Sequence, residues 1–351
     1  MSVAVRIPIL LPEGPIVSRN LLSSCAVFLL FSVPAYADGP SQPLKAGIIG
    51  LDTSHVTAFT KLLNGTNTKG DLADVRIVAA YPGGSPDVPE SRNRVAGYTK
   101  ELREKYGVEI VDSIDALLQK VDVVFLESVD GRPHLEQARP VFKARKPLFI
   151  DKPVAGSLAD AIEIFQLAKA SDTPCFSSSS LRFSPGILGM RNNPKVGRIL
   201  GCDAYGPCSL EKHHPDLFWY GVHGVETLFT IMGTGCVSAT RIHSKDTDFV
   251  SGTWKDGRVG SFRGIRAGKS GYGAMVFGSD GIVPSGGYGG YEPLVVEICK
   301  FFKSHQPPVS AEETIEIFAF MEAADESKRQ GGAPVTLASV LTKAKAKASG
   351  Q

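Results

Sequence analysis

From Lys45 onward the chain alternates short, mostly apolar runs with longer stretches whose apolar residues recur every three or four positions. Runs at residues 46–50, 75–81, 121–127 and 148–150 predict strands, and 56–64, 90–106, 114–120 and 135–144 predict the helices between them. Strands apolar on both faces and separated by helices predict a doubly wound parallel sheet, hence an α/β domain over residues 45–153. A further helix at 158–170 and a short strand from Phe176 continue it. After about Arg182 the texture changes. Short strand-like segments at 199–204, 237–243, 260–264 and 274–277 are punctuated by Gly, Asp and Lys turns, which predicts a mostly antiparallel, open-faced sheet. Helices at 294–304 and 311–328 close this second α/β domain (154–337) and are expected to pack back on the first. Residues 338–351 read as a tail, basic and frayed from Lys343.

One apolar run does not fit this alternation. Residues 21–33, LLSSCAVFLLFSV, carry no charge, follow Arg19 and precede Ala35-Tyr36-Ala37. The run is too short for a comfortable membrane span, and its flanks have the layout of a secretory signal peptide cleaved near Ala37. Residues 1–37 are therefore expected to be removed, 38–44 to be a linker, and the mature protein to be periplasmic or secreted, with no membrane attachment after cleavage. Five cysteines remain beyond Cys25, an odd and sparse set without metal-ligand spacing, expected as buried thiols. A formal charge of +2 on 351 residues leaves no field suited to nucleic acid.

The candidate chemistry sits where predicted strands end. The first runs from Gly50 into Leu51-Asp52-Thr53-Ser54-His55, where a dinucleotide-binding fold keeps its glycine fingerprint. Asp130 and His134 follow the run ending at Glu127, and the next run exits through Asp151-Lys152-Pro153. Downstream stand Arg182-Phe183-Ser184-Pro185, Tyr220-Gly221-Val222-His223 and Phe277-Gly278-Ser279-Asp280-Gly281. In order and spacing these segments resemble the Gfo/Idh/MocA oxidoreductases, the glucose–fructose oxidoreductase and inositol dehydrogenase family. Asp151-Lys152-Pro153 stands for that family's Glu-Lys-Pro, and Tyr220–His223 for its Gly-x-His helix start. The resemblance implies a Rossmann domain joined to an open-faced α/β domain, with NAD or NADP and a sugar or polyol meeting at the junction. It implies Lys152 and His223 as the acid/base pair, and homo-oligomers formed through the open sheet face. Gly50, Asp52, Thr53, Ser54, His55, Asp130, His134 and Asp151 would then border the cofactor. Arg182, His213, His214, Trp219 and Tyr220 are candidate substrate residues, with Tyr205 a further aromatic surface for a sugar.

Departures from the pattern keep other readings open. In G-x-G-x-x-G register Asp52 replaces the second glycine and His55 the third, placing a carboxylate where a diphosphate needs bare backbone. The second strand ends in Tyr81-Pro82-Gly83-Gly84-Ser85-Pro86 rather than at an acidic ribose ligand, and Trp219 stands four residues before His223 where the family often has an acid. Non-redox carbohydrate binding without a dinucleotide, or an NAD-retaining glycosidase-like lyase, are the alternatives. His213, His214 and His223 match no metal signature, so no metal is expected.

Overall fold

The computed structural model describes residues 42–349. The export segment read from the sequence lies outside the described residues. Six parallel strands form the first sheet: β1 (Leu44–Ile49), β2 (Val75–Tyr81), β3 (Glu109–Ile110), β4 (Val123–Leu126), β5 (Leu148–Asp151) and β6 (Cys175–Ser178). Their spatial order is β3-β2-β1-β4-β5-β6, a Rossmann arrangement. The chain leaves β1 toward β2 on one side and later returns to β4 on the other, so a cleft opens at the carboxyl ends of β1 and β4. The crossovers are α1 (Ser54–Asn64), α2 (Pro89–Tyr106), α3 (Ile114–Leu118), α4 (His134–Lys143) and α5 (Leu158–Ala170). Side-chain oxygens set where three of them start: Thr53 accepts from the His55 amide, Ser113 from Ala116 and Ser157 from Asp160. β3, only two residues long, carries too short a pattern to be read from sequence.

The second half follows β6 with α6 (Pro185–Leu188), β7 (Ile199–Pro207), α7 (Asp216–Trp219) and α8 (Val222–Met232). Then come β8 (Cys236–His243), β9 (Thr247–Trp254), β10 (Val259–Ile265), β11 (Gly273–Gly278), β12 (Ile282–Pro284), α9 (Glu292–Ser304), α10 (Ala311–Arg329), β13 (Val335–Thr336) and α11 (Leu337–Ala348). The seven-stranded sheet runs β12-β11-β7-β10-β9-β8-β13, antiparallel except where β7 meets β10. Every residue of α8 is buried. The helix comes so close to the sheet that a Cβ at Gly224 would lie 2.1 Å from the Phe262 ring, so glycine is what lets the helix carrying His223 seat there.

α9 packs against the parallel sheet. Its Phe302 ring sits 5.1 Å from Phe125 of β4 and its Phe301 ring 4.8 Å from Phe176 of β6, centroid to centroid. Each such buried phenylalanine contributes on the order of 1.5–3 kcal/mol. The segment expected to fray is instead α11, helical through Ala348. Leu337, Val340, Leu341 and Ala344 make an apolar stripe at helical spacing that packs into the core, and the lysines lie on the other face. The five cysteines within the described residues are buried free thiols. Among the described residues no helix is long and apolar enough to cross a membrane.

Candidate functional site

The site begins at the β1 exit. Gly50 has φ +88, and a Cβ there would lie 2.4 Å from Ser128 Oγ, so only glycine makes this turn. Two residues on, Asp52 is wholly buried and turned inward. Its Oδ1 accepts from the Val129 amide at 2.8 Å and its Oδ2 from Ser91 Oγ at 2.6 Å. Burial, only partly offset by these two hydrogen bonds, raises its pKa above the ordinary carboxylate value. Thr53, Ser54 and His55 instead line a cavity of about 460 Å³. Thr53 takes the His55 and Val56 amides, but the helix dipole still favours an anion at the α1 start with Asp52 turned away. On this geometry the residues fit a dinucleotide: the α1 start would hold its diphosphate, and Glu90 and Arg94 of α2 line the same cavity.

Lys152 and His223, one from each half of the chain, line this cavity with Trp219, Tyr220, Tyr272 and Tyr291. The Lys152 ammonium stands 5.8 Å from the Tyr220 ring centre. His223 opens the first turn of α8, and its Nδ1 hydrogen-bonds Ser179 Oγ at 2.7 Å, leaving Nε2 for the cavity. Ser179 Oγ in turn accepts from the Leu181 amide. Burial, then the nearby Lys152 charge, pull the His223 pKa well below 6.5, so the ring is neutral. The unfolded chain therefore binds the proton more readily than the folded one. Stability is expected to be intact above 6.5 and to fall by up to about 1.4 kcal/mol per pH unit just below it. Denaturant melts from about pH 7.5 to 5.5 check this, since His223→Gln should flatten the slope.

Other sequence-predicted residues take different places. Arg182 does not face the cavity. It is buried between Glu226 of α8 and Glu313 of α10, at 2.7 Å from each. His134 is fully buried, with its ring nitrogens on the carbonyls of Val154 (3.2 Å) and Ser128 (2.8 Å), where it joins the β4 and β5 exits. Asp130 lies between His214 (3.0 Å) and Arg132 (2.7 Å). Burial opposes its ionisation, but hydrogen bonds from His214 and Arg132 hold it far below the usual carboxylate range. His213 and His214 both bond Glu211, and His214 packs on the Trp219 ring at 4.8 Å. His214 thus supports the Trp219 ring, and neither histidine lines the cavity. Tyr205 is exposed on β7, away from it. Tyr272, Tyr288 and Tyr291, none of them anticipated, complete the wall from a glycine-rich stretch whose spacing carries no motif.

Beneath His55 lies a second feature missed in the sequence. His55 Nδ1 is 2.7 Å from Asp151 Oδ2, and Glu127, at the end of β4, points into the same spot. Burial and then the Asp151 charge push the Glu127 carboxyl well above its ordinary range. Burial would raise Asp151 too, but His55 holds it below the usual value.

Residues 45–178 match the model of an oxidoreductase family with an NAD-binding Rossmann fold. No curated protein matches the chain significantly. Among solved structures, a probable dehydrogenase from Thermotoga maritima is 21% identical with TM-score 0.68, over 85% of this chain and 100% of that one. Scyllo-inositol dehydrogenase from Lactobacillus casei is 14% identical with TM-score 0.69, over 85% and 99%. An oxidoreductase from Agrobacterium radiobacter, in complex with NAD+, L-tartaric acid and magnesium, is 16% identical with TM-score 0.66, over 85% and 99%. At these identities the likeness is one of fold, and it extends over both domains.

Proposed function

We propose that the protein, whose residues 45–178 match the model of the Gfo/Idh/MocA oxidoreductase family with its NAD-binding Rossmann fold, is an NAD(P)-dependent dehydrogenase acting on a sugar or polyol between its two domains. The observation that carries this reading is the convergence of Lys152 and His223 on one cavity with tyrosine walls. Bound NAD(P) would supply the hydride acceptor, and the Thr53–Ser54 start of α1 would hold its diphosphate. Neutral His223, steadied by Ser179, is placed to take the proton of a substrate hydroxyl through Nε2. The Lys152 ammonium would stabilise the oxygen as its charge develops. Aromatic faces of Trp219 and Tyr220 suit the C–H face of a sugar ring. Reduced cofactor formed on a panel of sugars and polyols tests the proposal.

A second reading, carbohydrate binding without a dinucleotide, draws on the loops that meet at Asp52. Arg132 of the β4 loop bridges Asp130 and, at 2.9 Å, Asp87 of the β2 loop. Val88, Val129 and Trp219 pack together there. Sugar binding with no cofactor binding would favour it.

Two further expectations belong to the proposal. Export with cleavage after Ala37 predicts Asp38 as the first residue of the mature protein, which N-terminal sequencing of the exported form checks. The second sheet exposes Ile242, Val259, Met275 and Ile282. Association through this face predicts a sedimentation mass above that of one chain, restored to one chain by Ile242→Asp with Ile282→Asp.

A further inference from the structure

We infer that His55, Glu127 and Asp151 form a binding site for one first-row divalent cation, Zn²⁺ or Mn²⁺, in the floor of the cavity. His55 stands in the first turn of α1, Glu127 directly follows β4 and Asp151 ends β5, at the carboxyl side of the adjacent strands β1, β4 and β5. Each offers a ligand atom within 4.8 Å of the other two, and they are 7%, 0% and 1% exposed.

The state of their polar atoms points to a ligand. Neither oxygen of Glu127, neither oxygen of Asp151, nor His55 Nδ1 has a hydrogen-bond partner in the described residues. His55 Nδ1 and Asp151 Oδ2 are in ion-pair contact at 2.7 Å, whereas Glu127 has no such partner. Both Glu127 oxygens are thus buried without a partner, beside the His55–Asp151 pair. Leaving such groups unpaired costs about 1–3 kcal/mol each, and more when charged.

The rest of the protein shows how this chain otherwise treats a buried carboxylate. Asp130 is held by Arg132, Glu226 by Arg182, Asp248 by Arg241 and Arg266, and Asp325 by Arg241. Asp52 takes an amide and a hydroxyl. Among the described residues, Glu127 and Asp151 have no lysine or arginine within ion-pair distance, yet they lie side by side. A shared proton would neutralise one charge but leave the other oxygens unpaired. A divalent cation neutralises both carboxylates and uses the imidazole nitrogen. One imidazole with two carboxylates is a donor set for Zn²⁺ or Mn²⁺, with bonds of about 2.0–2.2 Å for zinc. Because His55 also borders the cavity, coordination positions remain on that side for an oxygen of the bound molecule.

The inference stands apart from the dinucleotide reading: metal binding with no NAD(P) turnover would leave it intact. The test is elemental analysis of the full chain purified from metal-replete medium, followed by calorimetric titration of the chelator-treated protein with Zn²⁺ and Mn²⁺. About one ion per chain is expected as purified, with one-site rebinding of either ion and a raised melting temperature. Glu127→Gln and Asp151→Asn, which keep the side-chain shape, should each lower affinity at least tenfold. If those variants do not fold, wild type alone decides. Metal-free wild type that neither binds Zn²⁺ or Mn²⁺ nor shifts its melting temperature overturns the site. Binding that persists undiminished in folded Glu127→Gln overturns it as well.

Discussion

Lys152→Ala and His223→Ala are each expected to lower kcat for a productive sugar or polyol by about 10²–10⁴-fold, with smaller changes in KM. Both side chains border the cavity, and neither makes an ion pair that the fold depends on within the described residues. His223 should respond in a second way. The Ser179 contact fixes which ring nitrogen meets the substrate, so Ser179→Ala should cost less than His223→Ala while also lowering kcat. Steady-state kinetics on folded variants, verified by circular dichroism, check the pair. Wild-type kcat in both would remove them from the chemistry.

Arg182→Ala is expected to destabilise the protein by about 3–5 kcal/mol, because it strands a fully buried Glu226 and a largely buried Glu313. Glu226 also accepts from Ser178 Oγ and the Ser179 amide, each at 2.7 Å, so the damage would reach the loop that orients His223. Denaturant unfolding should show a lower midpoint with an unchanged slope. A variant of wild-type stability with only a raised KM would instead return Arg182 to the role of a substrate ligand.

Arg182 also shows where sequence reading stops. Its cation stood out in a motif, but the partners that decide its role are on helices far along the chain, and no local pattern joins them. That Lys152 and His223 would line one cavity was legible because each follows a short, ordered motif at an element boundary. The parallel sheet was legible because buried strands are apolar on both faces, a signal that needs no partner. Glu127 was hidden by the same rule. An acid just past a strand ordinarily meets solvent, whereas here the β1 and β5 exits close around it. Asp52 was read correctly as a departure from the fingerprint, but only the turn's geometry shows its carboxylate spent on Val129 and Ser91. The last helix was misread because its lysines outweigh an apolar stripe that makes sense only with a core to pack against.

All of the redox account depends on a dinucleotide entering a turn whose second and third glycines are replaced. Trp219 lines the cavity and reports on it directly. Titration of the purified protein with NADH and NADPH, followed by tryptophan quenching and by mass spectrometry of released nucleotide, therefore bears on the central claim most directly. The account predicts saturable, stoichiometric binding of one of the two, weakened when Thr53→Glu places a charge at the α1 start. No binding of either cofactor by folded protein that still binds sugar would contradict it.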